Sequence, residues 1–365
     1  MARGRWRSDT FPDVARGVRG IRLPVAAALA IAALAATPAA AGAPEGVGSQ
    51  AVRFADVRVP VPVDPSGPEG AFPSLHAHLY VPAGRGPWPV VQISHAWPGT
   101  LREFPLSGWG RRLASRGFVV IVSDRRAASA AFTPSLDQPA DILDLDTEVN
   151  SEDVLRLLRW AIAQGSVRGS PLYRKVDRRR LAIAGHSLGG YFATFAAVRA
   201  RTEGPRLSAL VLLDPTDERL GEHTLNSSLA AAPKVRIPTV VLASEANEHP
   251  VQCDMSYGND CTIVSRQEYA ALTHAPALFG LKVVGAVHED VEDPRTGSVP
   301  SKPRQLRLFQ RYAMAWVEYW LAGDCRARPY LGGAASARDA RARRIAIFKG
   351  RKTSQTRHDA RCPGA

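Results

Sequence analysis

The chain has 365 residues, 45% hydrophobic and 22% charged, a composition that supports a folded domain with a sizeable core and excludes low-complexity disorder. Its formal net charge of +13 invites a nucleic-acid partner, but residues 1–41 carry +4 and residues 333–365 carry +7, leaving +2 for everything between. That middle has no basic stripe interleaved with aromatics, so nucleic acid is not the expected partner.

In chain order, Arg3, Arg5, Arg7, Arg16, Arg19 and Arg22 precede an apolar run from Leu23 to Ala36 and then the small residues Thr37 to Ala43. This is the pattern of a secretory signal peptide. The run is too short to span a membrane comfortably and Ala39-Ala40-Ala41 offers the small residues a signal peptidase needs, so cleavage near Ala41 is expected, giving a secreted or extracytoplasmic protein without stable membrane insertion; an uncleaved N-terminal anchor is the alternative. Residues 42–50 read as a flexible lead-in, 51–325 as a single domain and 326–365 as a basic tail.

From Val52 onward, short β-branched runs alternate with longer helical patterns, which predicts an α/β fold: a mainly parallel central sheet with helices on both faces. Val52 to Val59 and His76 to Val81 alternate apolar with polar, as antiparallel edge strands do, and His76 and His78 are expected on the surface. Val90 to Ile93, Phe118 to Val122, Leu181 to Ala184, Ala209 to Leu213, Thr239 to Ala243 and Leu281 to Val284 are continuously apolar, as buried parallel strands are. Helices are expected over Leu106 to Ser115, Glu148 to Gln164, Tyr191 to Ala200 and Ser301 to Leu321. The last places Leu306, Phe309, Ala313, Trp316 and Trp320 on one core-packing face.

Gly185-His186-Ser187-Leu188-Gly189 stands between the run Leu181 to Ala184 and a helical pattern, the strand–turn–helix setting of a nucleophile elbow in the α/β-hydrolase fold. Small residues two before and two after the serine let strand and helix pass closely. A serine hydroxyl is a poor nucleophile at neutral pH and needs a base, which in turn needs an acid to fix its tautomer; in this fold the chain order is Ser, acid, His. His288, just after the last expected strand, is the candidate base, and His186 in the motif's variable position reads as structural. For the acid, Asp214, Asp217, Glu245 and Glu248 all follow expected strands, and position alone leaves them open. Two backbone N–H groups must face the developing oxyanion; Leu188 and Trp97, in the loop Ser94-His95-Ala96-Trp97-Pro98-Gly99, are assigned to it.

The four cysteines fall late, and in an exported chain proximity suggests Cys253 with Cys261 and Cys325 with Cys362. A metal site on His249, Cys253 and Cys261 matches no common zinc spacing, so neither metal nor cofactor is expected.

Over roughly Trp88 to Leu321 the chain resembles the chlorophyllase and platelet-activating-factor acetylhydrolase branch of the α/β-hydrolases, with bacterial polyester hydrolases as nearby relatives. The resemblance rests on His95-Ala96-Trp97, Leu113-Ala114-Ser115-Arg116-Gly117-Phe118, Gly185 to Gly190, Leu213-Asp214-Pro215 and His288-Glu289-Asp290-Val291-Glu292-Asp293. Ala96 stands where that branch usually has Gly. The resemblance implies a Ser187–His288–Asp214 triad, with Glu245 as the alternative acid. It also supports carboxylic ester hydrolysis in general, expected here to run through an acyl-enzyme on a small-molecule, lipid or polymeric ester; the protein itself is expected to be monomeric. Acyl transfer or amide cleavage on the same machinery, and a non-catalytic binding protein on this fold, are the competing readings. The chlorophyll substrate itself does not carry over to an exported chain.

Overall fold

The unbroken apolar runs become the middle of one nine-stranded sheet in the computed structural model, which describes residues 42–62, 74–96, 106–124, 141–217, 227–245, 261–294, 302–348 and 362. The expected signal peptide, Trp97, Glu248 and Cys253 lie outside those residues. The strands are β1 (Val52–Pro60), β2 (Ser74–Pro82), β3 (Trp88–Ser94), β4 (Val119–Ser123), β5 (Val176–His186), β6 (Ala209–Leu213), β7 (Thr239–Ala243), β8 (Leu278–Val283) and β9 (Ile345–Ile347), in the spatial order β1-β2-β4-β3-β5-β6-β7-β8-β9. β1, β2 and β4 pair antiparallel in turn, whereas β4, β3, β5, β6, β7 and β8 run parallel. This is the α/β architecture expected from the sequence, antiparallel edge included.

Because side chains alternate across a strand, each central strand feeds two cores. On one face Val91, Ile93, Val211 and Leu242 pack against α1 (Ser107–Ser115) and α6 (Pro303–Val317) through Trp109, Phe309 and Trp316. On the other Val90, Leu181, Ile183, Leu210 and Val241 pack against α2 (Asp141–Gln164) and α3 (Leu188–Arg199) through Leu155, Leu158, Ala193 and Ala196. Two further helices are α4 (Ser228–Ala231) and α5 (Cys261–Ala271). The aromatic stripe of α6 is buried at Phe309 and Trp316, as its helical spacing predicts.

The C-terminal reading needs correction. The segment expected to be a basic tail from 326 continues the fold through 348: α7 (Ala334–Arg341) leads into β9, which pairs antiparallel with β8. The reason is a short apolar run, Ile345-Ala346-Ile347-Phe348, hidden among arginines, and a carboxylate that gathers them. Asp339 accepts from Arg311 Nη1 at 2.6 Å, Tyr312 Oη at 2.8 Å and Arg344 Nη1 at 2.9 Å. The expected Cys325–Cys362 disulfide is present, with Cys362 packed against Ala315, Tyr319 and Ala327. Among the described residues no helix is long and apolar enough to cross a membrane.

Candidate active site

β5 ends at His186 and α3 begins at Leu188, so Ser187 is the whole turn between them, with φ 55° and ψ −124°. That backbone conformation costs a non-glycine residue on the order of 1–3 kcal/mol and persists only where its surroundings hold it. Here the Ser187 N–H donates to Leu213 O (3.1 Å), and Ser187 O accepts from Gly190 N–H (2.8 Å). A Cβ on Gly185 would overlap the Gly189 backbone, and one on Gly189 would lie 2.5 Å from Ser94 O. Both glycines are therefore required by close backbone approach, and the second lets the end of β3 pass against the start of α3.

His288 opens a short 3-10 turn, His288–Val291, after the turn at Gly285, whose φ of 71° suits glycine. Asp290 pins this turn by accepting the Val287 N–H at 2.9 Å and the Lys302 N–H at 2.5 Å. His288 Nδ1 lies 2.7 Å from Asp214 Oδ2. A carboxylate only accepts, so Nδ1 carries the proton and Nε2 presents its lone pair; among the described residues Nε2 is buried without a hydrogen-bond partner. Burial pushes the His288 pKa down, but the hydrogen bond and charge of Asp214 outweigh it and raise it above the ordinary histidine value.

Asp214 directly follows β6, with φ 45°, and is fully buried. Besides His288 it accepts from the Ser244 N–H (2.8 Å), Ser244 Oγ (2.5 Å) and Ser265 Oγ (3.5 Å). Burial favours its neutral form, yet the bonds from His288 and Ser244 prevail and hold the carboxyl below its usual range. Glu245, one residue beyond Ser244, turns the other way: Oε1 pairs with Lys282 Nζ at 2.8 Å and Oε2 accepts the Gly285 N–H at 2.7 Å. Asp217 is also committed elsewhere, to Ser227 Oγ (2.7 Å) and the Ser228 N–H (2.7 Å). Of the described acidic candidates, Asp214 meets His288.

His186 is fully buried and packs against His288. Its Nε2 donates to His288 O at 3.1 Å, its ring lies 4.6 Å from the His288 ring, and Nδ1 faces Glu292 Oε1 at 3.3 Å. Leu188, first residue of α3, has one of the N–H groups that a helix start leaves without an intrahelical partner. The loop meant to supply the second begins at His95, whose Nδ1 is 2.5 Å from Ala96 O.

Behind the site lies a polar cluster with no sequence motif. Glu268, one turn after Ser265 on α5, accepts from Thr194 Oγ1 of α3 at 3.0 Å and shares a 3.0 Å bond with Ser228 Oγ. Its carboxyl is pushed up to about 7 by burial, with the Asp217 charge adding to the shift against the hydrogen bonds from Thr194 and Ser228. The helical i, i+3 spacing of Ser265 and Glu268 is the only trace of this in the sequence.

Residues 79–257 match the family model described as PET hydrolase-like. The protein named Cutinase 2 of Thermobifida cellulosilytica is 25% identical over 254 residues, 69% of this chain and 76% of its own length. Cutinase cut1 of Thermobifida fusca is 25% identical over 254 residues, and the chain spans 62% of it. Bis(hydroxyethyl) terephthalate hydrolase of Streptomyces coelicolor is 29% identical over 341 residues, 88% of this chain and 90% of that protein. Sheet order, elbow geometry and these similarities agree on the α/β-hydrolase fold, and PET hydrolase-like enzymes and cutinases are the proteins the chain is similar to.

Proposed function

We propose that this protein is an exported serine hydrolase that cleaves carboxylic esters, polyester-type esters among them. Ser187 Oγ attacks the ester carbonyl while His288 Nε2 takes its proton; the tetrahedral intermediate collapses to an acyl-enzyme and the alcohol leaves with that proton. Water then attacks the acyl carbon, with His288 again accepting a proton and returning it to Ser187. Asp214 keeps His288 in the tautomer with Nε2 free and stabilises its charged form. The Leu188 and Trp97 N–H groups hold the oxyanion.

The observation that carries this reading is the 2.7 Å contact of His288 Nδ1 with Asp214, in a chain whose Ser187 occupies a strained elbow. The substrate class is drawn from the relatives named above, and export from the arginine-rich leader with cleavage near Ala41. The likeness to chlorophyllase-like enzymes contributes the place of the acid and no substrate. The test is turnover of p-nitrophenyl acyl esters, bis(hydroxyethyl) terephthalate and a polyester film by the wild-type protein and Ser187→Ala, with fluorophosphonate labelling alongside. Wild-type turnover and labelling, both lost in the folded variant, are expected; activity retained by Ser187→Ala overturns the assignment.

A further inference from the structure

Away from this site, three side chains meet on one face of the antiparallel edge. His76 and His78 stand two residues apart on β2 and so point the same way, and Asp56 on β1 is the cross-strand partner of His78. One donor atom from each lies within 4.8 Å of the other two. We propose that Asp56, His76 and His78 form a binding site for a zinc-type divalent cation, with water completing a tetrahedral shell.

The chemistry of His76 carries the argument. Its Nδ1 lies 2.8 Å from Asp124 Oδ2, at the end of β4, and its Nε2 lies 2.8 Å from Asp56 Oδ1. A neutral imidazole has one N–H. If Nδ1 donates it to Asp124, Nε2 turns a lone pair toward a second carboxylate, and that juxtaposition requires a cation, H⁺ or metal, between them. The carboxylate–histidine–cation alignment is the one that orients histidine ligands in zinc sites, the outer carboxylate fixing tautomer and ring together. His78 supplies a second imidazole, and two nitrogens with one carboxylate oxygen form a donor set suited to Zn²⁺ rather than Ca²⁺ or Mg²⁺.

The site has room to close. Zinc–ligand bonds of about 2.0–2.2 Å require donors roughly 3.3 Å apart, so an ion entering between His76 Nε2 and Asp56 Oδ1 would open that pair from 2.8 Å while His78, with its donor inside the 4.8 Å cluster, closes on it, adjustments within reach of exposed Asp56 and half-buried His78. Phe54, 49% exposed, packs its ring edge-on against His78 at 5.3 Å and limits that ring's freedom. Arg58, paired across the strands with His76, is the one cation placed to oppose binding among these register partners. A bound ion would clip β1 to β2 and, through Asp124, to β4. Asp124 Oδ1 also lies 3.6 Å from Nε2 of His95, where the loop toward the candidate oxyanion site begins.

The test is calorimetric titration of the chelator-stripped full chain with Zn²⁺, Co²⁺ absorption as a report on geometry, and thermal melting. The expected result is one equivalent bound more tightly than roughly 100 µM, with the intense visible bands of tetrahedral Co²⁺. At a hundredfold excess over Kd, melting should rise by about 4 °C. Asp56→Asn and His78→Gln, both at solvent-accessible positions, should each weaken binding at least tenfold and abolish the melting shift, with ester turnover measured separately. His76→Gln also removes the tie to Asp124, so the other two variants carry the decision. Wild-type binding weaker than that limit, or undiminished binding in Asp56→Asn and His78→Gln, overturns the site.

Discussion

Glu268→Gln isolates the cost of burying an acid behind the candidate triad. In the folded chain the Glu268 carboxyl titrates near 7 against an ordinary 4.5, so it keeps its proton at pH values where the unfolded chain has lost it. The proton has a structural place: Thr194 donates to Oε1, and a protonated Oε2 can donate to Ser228, whose own hydroxyl turns to Asp217. A raised folded-state pKa gives stability that is fully present below pH 4.5 and declines as pH rises to about 7. At about 1.4 kcal/mol per pH unit the interval amounts to ~3 kcal/mol for this one group. Glutamine keeps both hydrogen bonds and never ionises. Urea unfolding of both proteins at pH 4.5 and pH 8 should therefore show the variant gaining ~3 kcal/mol on wild type between the two conditions, other groups cancelling in the difference. An equal stability difference at both pH values would refute a protonated Glu268 in the folded chain.

Asp214→Asn should lower kcat by roughly 10⁴-fold, whereas Glu245→Gln, which loses contacts to Lys282 and Gly285, should stay near wild type; the reverse outcome exchanges the acid. Because Asp214 raises the His288 pKa, the acid limb of kcat/KM, where protonated His288 is inactive, should move to lower pH in any residual activity of Asp214→Asn. Gly189→Ala forces a methyl to 2.5 Å from Ser94 O and should destabilise by about 2–4 kcal/mol, read as a lower Tm and loss of fluorophosphonate labelling. The double variant Cys325→Ser, Cys362→Ser opens a loop with a sequence separation of 37 and should lose about 3–4 kcal/mol by loop-closure entropy. Its urea midpoint checks this, and a loss below about 1 kcal/mol would refute the entropic account.

What could be read in advance was whatever a short stretch dictates by itself. Ser187 announced its strained turn because Gly185 and Gly189 must be glycine for strand and helix to pass, and the apolar runs announced buried strands because each feeds two cores. The choice among the acids was not local. Asp214 and Glu245 both follow neighbouring strands of the same sheet, and they diverge only because Lys282 and the turn at Gly285 draw Glu245 to β8 while Ser244 and His288 converge on Asp214. The Glu268 cluster joins α3, α4 and α5, three elements far apart in sequence, and no spacing rule reaches across them. β9 was missed for a different reason: three residues of strand amid arginines have too short a period to register, and Asp339 neutralises neighbours that composition counts as tail.

The pairing of β9 with β8 also bears on how the protein keeps to itself. β8 leads directly into the turn carrying His288, and without β9 its outer side would present a row of unpaired N–H and C=O groups, a template for another chain's strand. The short, arginine-flanked β9 takes that row and offers little edge of its own, and the Cys325–Cys362 bond ties Cys362 to the fold. Shortening this chain at its basic end, as its composition tempts one to do, should therefore produce protein that clumps through its sheet before it loses any residue of the candidate triad.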